Sequence, residues 1–164
     1  MVATTRGIAL CVLGMMFISA KGLTAQADSS GTLRACWCDA VISPEIGTAL
    51  AGYNSNDISV AKADDLMLCA VGVTDEQSSV FIFAFDLLGI DARNIVSLRA
   101  DAATVLGVPP ACVLFTCTHT HGGPHSRVFR GKTKEGQADL DRKYMAFLRE
   151  QIDSVAHISR NVSR

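Results

Sequence analysis

Apolar runs separated by short polar breaks set out the elements of this chain before any other property is considered. Leu33 to Ile42 reads as a strand and is ended by Ser43-Pro44. Leu66 to Thr74 (LMLCAVGVT) reads as a second strand, and Val80 to Phe85 (VFIFAF) as a third. Asp75-Glu76-Gln77-Ser78 lies between them as a tight polar turn, so the pair predicts a hairpin. The third run shows no polar alternation, which predicts a strand buried on both faces. Between the first and second runs, Gly47 to Asn56 is rich in Gly, Asn and Ser and reads as irregular backbone.

From Asp91 to Leu106 the period changes. Ile95, Leu98, Ala102 and Val105 recur at i, i+3, i+7 and i+10, which places them on one stripe of a helix. Gly107 stands where a helix C-cap belongs, and Pro109-Pro110 forbids continuation. Ala111 to Thr118 (ACVLFTCT) is a fourth strand, and Leu140 to Ile158 a second helix. The apolar face of that helix is Leu140, Tyr144, Phe147, Leu148, Ile152 and Val155. The order β-β-β-α-β-α predicts an α/β or α+β fold, a mixed sheet with flanking helices.

The first 27 residues change the picture, because they do not belong to that fold. Arg6 precedes an apolar run from Gly7 to Ala20, and Ala25-Gln26-Ala27 follows with small residues at the cleavage positions. This is the layout of a secretory signal peptide. A bilayer span needs roughly 20 apolar residues, and this run stops at Lys21. Residues 1–27 are therefore expected to be removed, leaving 28–164 as the folded part of a secreted or periplasmic protein. Of the six cysteines, Cys11 leaves with the signal. Cys36, Cys38, Cys69, Cys112 and Cys117 are an odd set in apolar runs, and they read as small buried hydrophobes. A net charge of −1 and the lack of any Lys/Arg block give no basis for nucleic-acid binding.

The chemistry concentrates at the exit of the fourth strand, in His119-Thr120-His121-Gly122-Gly123-Pro124. In an extended segment residues i and i+2 face the same side, so two imidazoles would converge at a strand end, with Cys117 one step deeper. Neutral imidazole suits a borderline cation such as zinc. Two histidines can equally cap a strand by hydrogen bonding to loop carbonyls. His125 follows a proline, and His157 stands late in the second helix; neither extends the pair into a ligand set.

The string Cys117-Thr118-His119-Thr120-His121-Gly122-Gly123-Pro124 resembles the THTHSGP signature of the neutral/alkaline ceramidases. Further segments match in order. Asp39 to Pro44 is similar to the family's D-I-T-P segment, and Leu50-Ala51-Gly52-Tyr53 to its A-G-Y loop. Phe85-Asp86-Leu87-Leu88-Gly89 is similar to a strand ending in D-L-L-G. The resemblance implies a zinc-dependent hydrolase of a linear amide, cleaving N-acylsphingosine to fatty acid and sphingosine. It implies His119 as a zinc ligand, His121 as the catalytic residue facing the oxyanion, and Gly52 near the substrate headgroup. A lipid or N-acyl amide substrate would also bring the protein to the membrane periphery.

The same resemblance places the family's other zinc ligands, a His, a Glu and a Tyr, in segments beyond residue 164. It also puts Gly122 where the family has Ser. On this reading 28–164 is the N-terminal part of a larger catalytic domain. Two alternatives stand beside it. One is a non-catalytic secreted domain, or a truncated fragment, that keeps the fold without the remaining ligands. The other is a different metal amidohydrolase in which both histidines bind the metal. If a covering part is lacking, strand faces should be exposed and the isolated chain should aggregate.

Overall fold

The computed structural model describes residues 32–53, 57–75, 77–126 and 137–162. The expected signal peptide at 1–27 and the tip of the loop at 54–56 lie outside the described residues. Strands β1 (Arg34–Val41), β2 (Met67–Thr74) and β3 (Ser79–Phe85) are followed by α1 (Ala92–Leu106), β4 (Val113–Cys117) and α2 (Gln137–Val162). The order is the one the apolar runs predict.

The sheet runs β1-β2-β3-β4. β1/β2 and β2/β3 pair antiparallel, while β3 and β4 pair parallel with α1 as the crossover. Two antiparallel ladders and one parallel ladder make this an α+β fold with a mixed, open sheet. The β2–β3 hairpin closes through Asp75, whose carboxylate accepts from the backbone of Gln77 and Ser78. Those hydrogen bonds hold its carboxyl below the usual carboxylate value.

α1 begins where Asp91 accepts from the Arg93 amide at 3.0 Å. It ends at Gly107, which adopts φ 77°. The Gly107 and Val108 amides both return to the Ala103 carbonyl, which closes the last turn. The buried face of α1 is Leu98, Ala102, Ala103 and Leu106, one step round from the stripe read off the sequence.

Both helices cover the same face of the sheet. Leu68, Ala70, Phe81, Phe83, Phe85 and Val113 point inward and meet Leu148, Ile152 and Val155 of α2 in one core. Gly72 belongs to this face. A Cβ there would lie 2.6 Å from Cys36 Sγ and 2.6 Å from the Phe81 ring, so the sheet needs its smallest residue at that crossing. Polar contacts add to the packing of α2. Tyr144 Oη donates to the Ile42 carbonyl at 3.0 Å, and burial pushes its phenol pKa well above the usual value. Cys38 Sγ lies 3.1 Å from Ser159 Oγ.

All five cysteines in the described residues are free thiols, Cys36 buried and the other four half-buried. Burial pushes the Cys38, Cys69 and Cys117 thiols up. No helix among the described residues is long and apolar enough to cross a membrane.

The expectation that β3 is buried on both faces is corrected. Val80 and Ile82 on its outer side are each 42% exposed. The register aligns Trp37, Val71, Ile82 and Leu114 in one apolar row across all four strands. No described element packs over this row. An unbroken apolar run tells that both sides of a strand are greasy, not that both are covered.

Ile82→Lys should therefore change folding stability by less than about 0.5 kcal/mol while reducing self-association, because it places a charge in the middle of the row. Sedimentation velocity on purified chain reads the second effect and thermal melting the first. A variant that unfolds would mean that Ile82 is covered in solution.

Candidate functional site

β4 ends at Cys117, and the following residues take their positions from β3's own exit. The Thr118 amide donates to the Phe85 carbonyl at 3.0 Å, and the His119 amide to the Leu87 carbonyl at 3.1 Å. His119 has φ 62°, the only positive φ among described non-glycine residues. A left-handed residue with a side chain is uncommon and costs conformational energy. The surrounding backbone bonds hold it there.

The two imidazoles do come together, with ring centroids 5.4 Å apart and planes at 70°. The route differs from the one the sequence suggests. The strand does not continue through the H-x-H motif, so simple i, i+2 alternation does not align the rings, and Cys117 stays on the helix-covered side of the sheet. The left-handed turn at His119 brings the rings together instead.

His119 Nδ1 lies 2.8 Å from the Leu88 carbonyl. A carbonyl can only accept, so Nδ1 carries a proton, and in the neutral imidazole Nε2 keeps its lone pair. An imidazole oriented in this way through its second nitrogen is the usual arrangement of a metal-ligating histidine.

His121 is held from another direction. The loop at 49–53 pairs with the glycine-rich turn: the Ala51 amide donates to the Gly123 carbonyl at 2.8 Å, and the Gly122 amide to the Ala51 carbonyl at 2.9 Å. Leu50 and Pro124 form a β-bridge beside them. This pairing brings Gly52 and Tyr53 against His121. The Tyr53 ring stands edge-on to the imidazole at 5.1 Å and is itself 73% exposed. Below the turn, Ser126 is buried, donates to the Gly89 carbonyl and accepts from Asn94 Nδ2 through its own carbonyl.

The structure thus gathers all three residues singled out from sequence, His119, His121 and Gly52, at one end of the sheet. Asp86, at the end of β3 where a carboxylate could orient a ligand histidine or cap the next turn, is engaged elsewhere. Asp86 Oδ2 accepts from the Met67 amide at 3.0 Å and fixes the start of β2. His157 is exposed on α2. Sequence reasoning missed the Leu88 carbonyl, and a backbone acceptor leaves no side-chain signal. It also missed the contact of Tyr53 with His121, although the A-G-Y resemblance had already placed Tyr53 in the loop near the substrate.

Among the described residues, no three His, Cys, Asp or Glu side chains lie close enough to hold a metal ion. Of the donors a zinc ion would need, the described residues offer His119 Nε2 as one candidate and do not complete the set.

No protein-family model and no curated protein matches the chain. Solved structures do. The chain is similar to a neutral ceramidase from Pseudomonas aeruginosa, with a TM-score of 0.58 at 16% identity over 79% of this chain and 22% of that one. It is also similar to a structure described as ceramidase complexed with C2, with a TM-score of 0.60 at 17% identity over 79% of this chain and 21% of that one. The fold is thus neutral ceramidase-like, and the chain spans little more than one fifth of the length of these proteins.

Proposed function

We propose that this ceramidase-like fold carries the histidine turn of a zinc-dependent hydrolase acting on a linear amide, with an N-acylsphingosine as the substrate class. One observation carries the reading. His119 is fixed through Nδ1 with Nε2 left as a lone-pair donor, and His121 stands beside it at 5.4 Å between ring centroids. The likeness of fold to the ceramidases supports the choice of substrate class.

On this reading His119 contributes one zinc ligand through Nε2. A zinc ion held there would supply Lewis-acid polarisation of the amide carbonyl and activation of a water. The described residues do not supply the rest of its ligands, so no further step is assigned to it. The chain's own contribution is orientation. His121 lies with its Cγ–Nδ1 side against Gly52, which leaves Nε2, at the far end of the ring, available to a substrate oxygen. An imidazole so placed can stabilise charge developing on a carbonyl. Gly52 and Tyr53 edge the same approach and would meet the headgroup.

The partial ligand set favours a second reading, a ceramidase-like domain without catalysis of its own. Elemental analysis of the purified chain, wild type beside His119→Ala, separates the two. Near-stoichiometric zinc in the wild type that is lost on substitution, with hydrolysis of an N-acylsphingosine, supports the hydrolase. Absence of zinc from both proteins would sink it for this chain and leave the second reading.

A further inference from the structure

The geometry points to Gly52 as the positioning residue for His121: a bare backbone at that point is what allows the imidazole to lie where it does. A Cβ at position 52 would stand 2.6 Å from His121 Cγ, 2.8 Å from Nδ1 and 2.9 Å from Cβ. Rotation about χ1 could move the first two atoms away. It cannot move His121 Cβ, which is fixed by the backbone. Any side chain at 52 therefore requires the two backbone segments to separate.

Those segments are not free to do so. Residue 51 exchanges hydrogen bonds with Gly122 and Gly123, directly beside the contact, and Leu50 bridges Pro124. His121 is exposed, so no core packing fixes its ring. What surrounds it is Gly52 on one side, the Tyr53 edge at 5.1 Å and His119 at 5.4 Å. The loop at 49–53 thus acts as a template against which the histidine turn is set, with Gly52 as its point of closest approach. The role matters to catalysis only if the hydrolase reading holds; the test below reads His121 itself and stands without it.

Gly52 also has φ 105°, where any side chain is strained whatever lies nearby. A double-mutant cycle separates that strain from the contact with His121. Gly52→Ala is compared in the wild-type and in a His121→Gly background, which removes all three contacting atoms. The drop in unfolding midpoint caused by Gly52→Ala should be less than half as large in the His121→Gly background. Equal drops, or failure to fold in both backgrounds, would mean that backbone strain alone makes position 52 a glycine, and would overturn the proposal. Folding only in the His121→Gly background supports it.

The ring resonances of His121 give a second readout. Tyr53→Leu, which leaves the glycine in place, should shift them while leaving those of the distant His157 unchanged. Unmoved His121 resonances would show that the loop does not determine the environment of the ring, and would overturn the template role.

Discussion

Changing His121 to alanine should, on the proposed hydrolase reading, lower turnover of an N-acyl amide about 10²–10³-fold while leaving zinc content unchanged, the loss expected when one donor to a developing oxyanion is removed. His119→Ala should instead lose the metal, and activity with it. The asymmetry follows from how the rings are held. His119 is clamped by the Leu88 carbonyl through Nδ1, which suits a fixed ligand. Among the described residues, His121 has ring and van der Waals contacts to Gly52, Tyr53 and His119, which suits a group that meets substrate. Metal analysis alongside steady-state kinetics on the same preparations distinguishes the two. Loss of zinc from both variants would make both histidines ligands and turn the chemistry toward a different metal amidohydrolase.

The second large effect concerns the fold. Phe83→Ala should cost about 3–5 kcal/mol, a large share of the roughly 5–15 kcal/mol that holds a domain of ordinary stability together. Phe83 is fully buried at the centre of the sheet, between Phe81 and Phe85 on the same inward face. Its register neighbours are Ala70 on β2 and Phe115 on β4, and the Phe115 ring lies 5.4 Å away at a tilted angle. Truncation removes the ring and leaves a cavity that flanking phenylalanines cannot fill without leaving their rotamers. Urea unfolding gives the difference, with Phe83→Leu expected to lose less. A loss below about 1 kcal/mol, the centre of the range for ordinary substitutions, would mean that the inner face is not packed as described.

Element order was legible because the apolar period changes from runs to a helical stripe and back, with Asp91, Gly107 and Pro110 marking boundaries that hydrogen bonding then fills. The cover over the sheet was not. Ile82 and Phe83 look alike in sequence, yet one is 42% exposed and the other fully buried. Only the position of the helices decides between them. At the site, His119, His121 and Gly52 could be named from residue type and motif. The left-handed turn that joins the rings could not, since a positive φ is uncommon for any residue that carries a side chain. Its orienting partner, the Leu88 carbonyl, belongs to a part of the chain whose backbone chemistry is the same at every residue.

The contact of Cys36 with the carbonyl of Ser159 joins residues 123 positions apart. The first strand of the sheet is therefore roofed by the last helix. During synthesis the chain extends from one end, so β1, β2 and β3 leave the ribosome long before anything exists to cover their inner face. The hairpin can form early from local contacts, but its phenylalanines stay in water until α2 arrives. Loop closure on that scale is slow compared with hairpin formation. The turns of α2 that meet β1 thus decide when the inner face of this sheet leaves water.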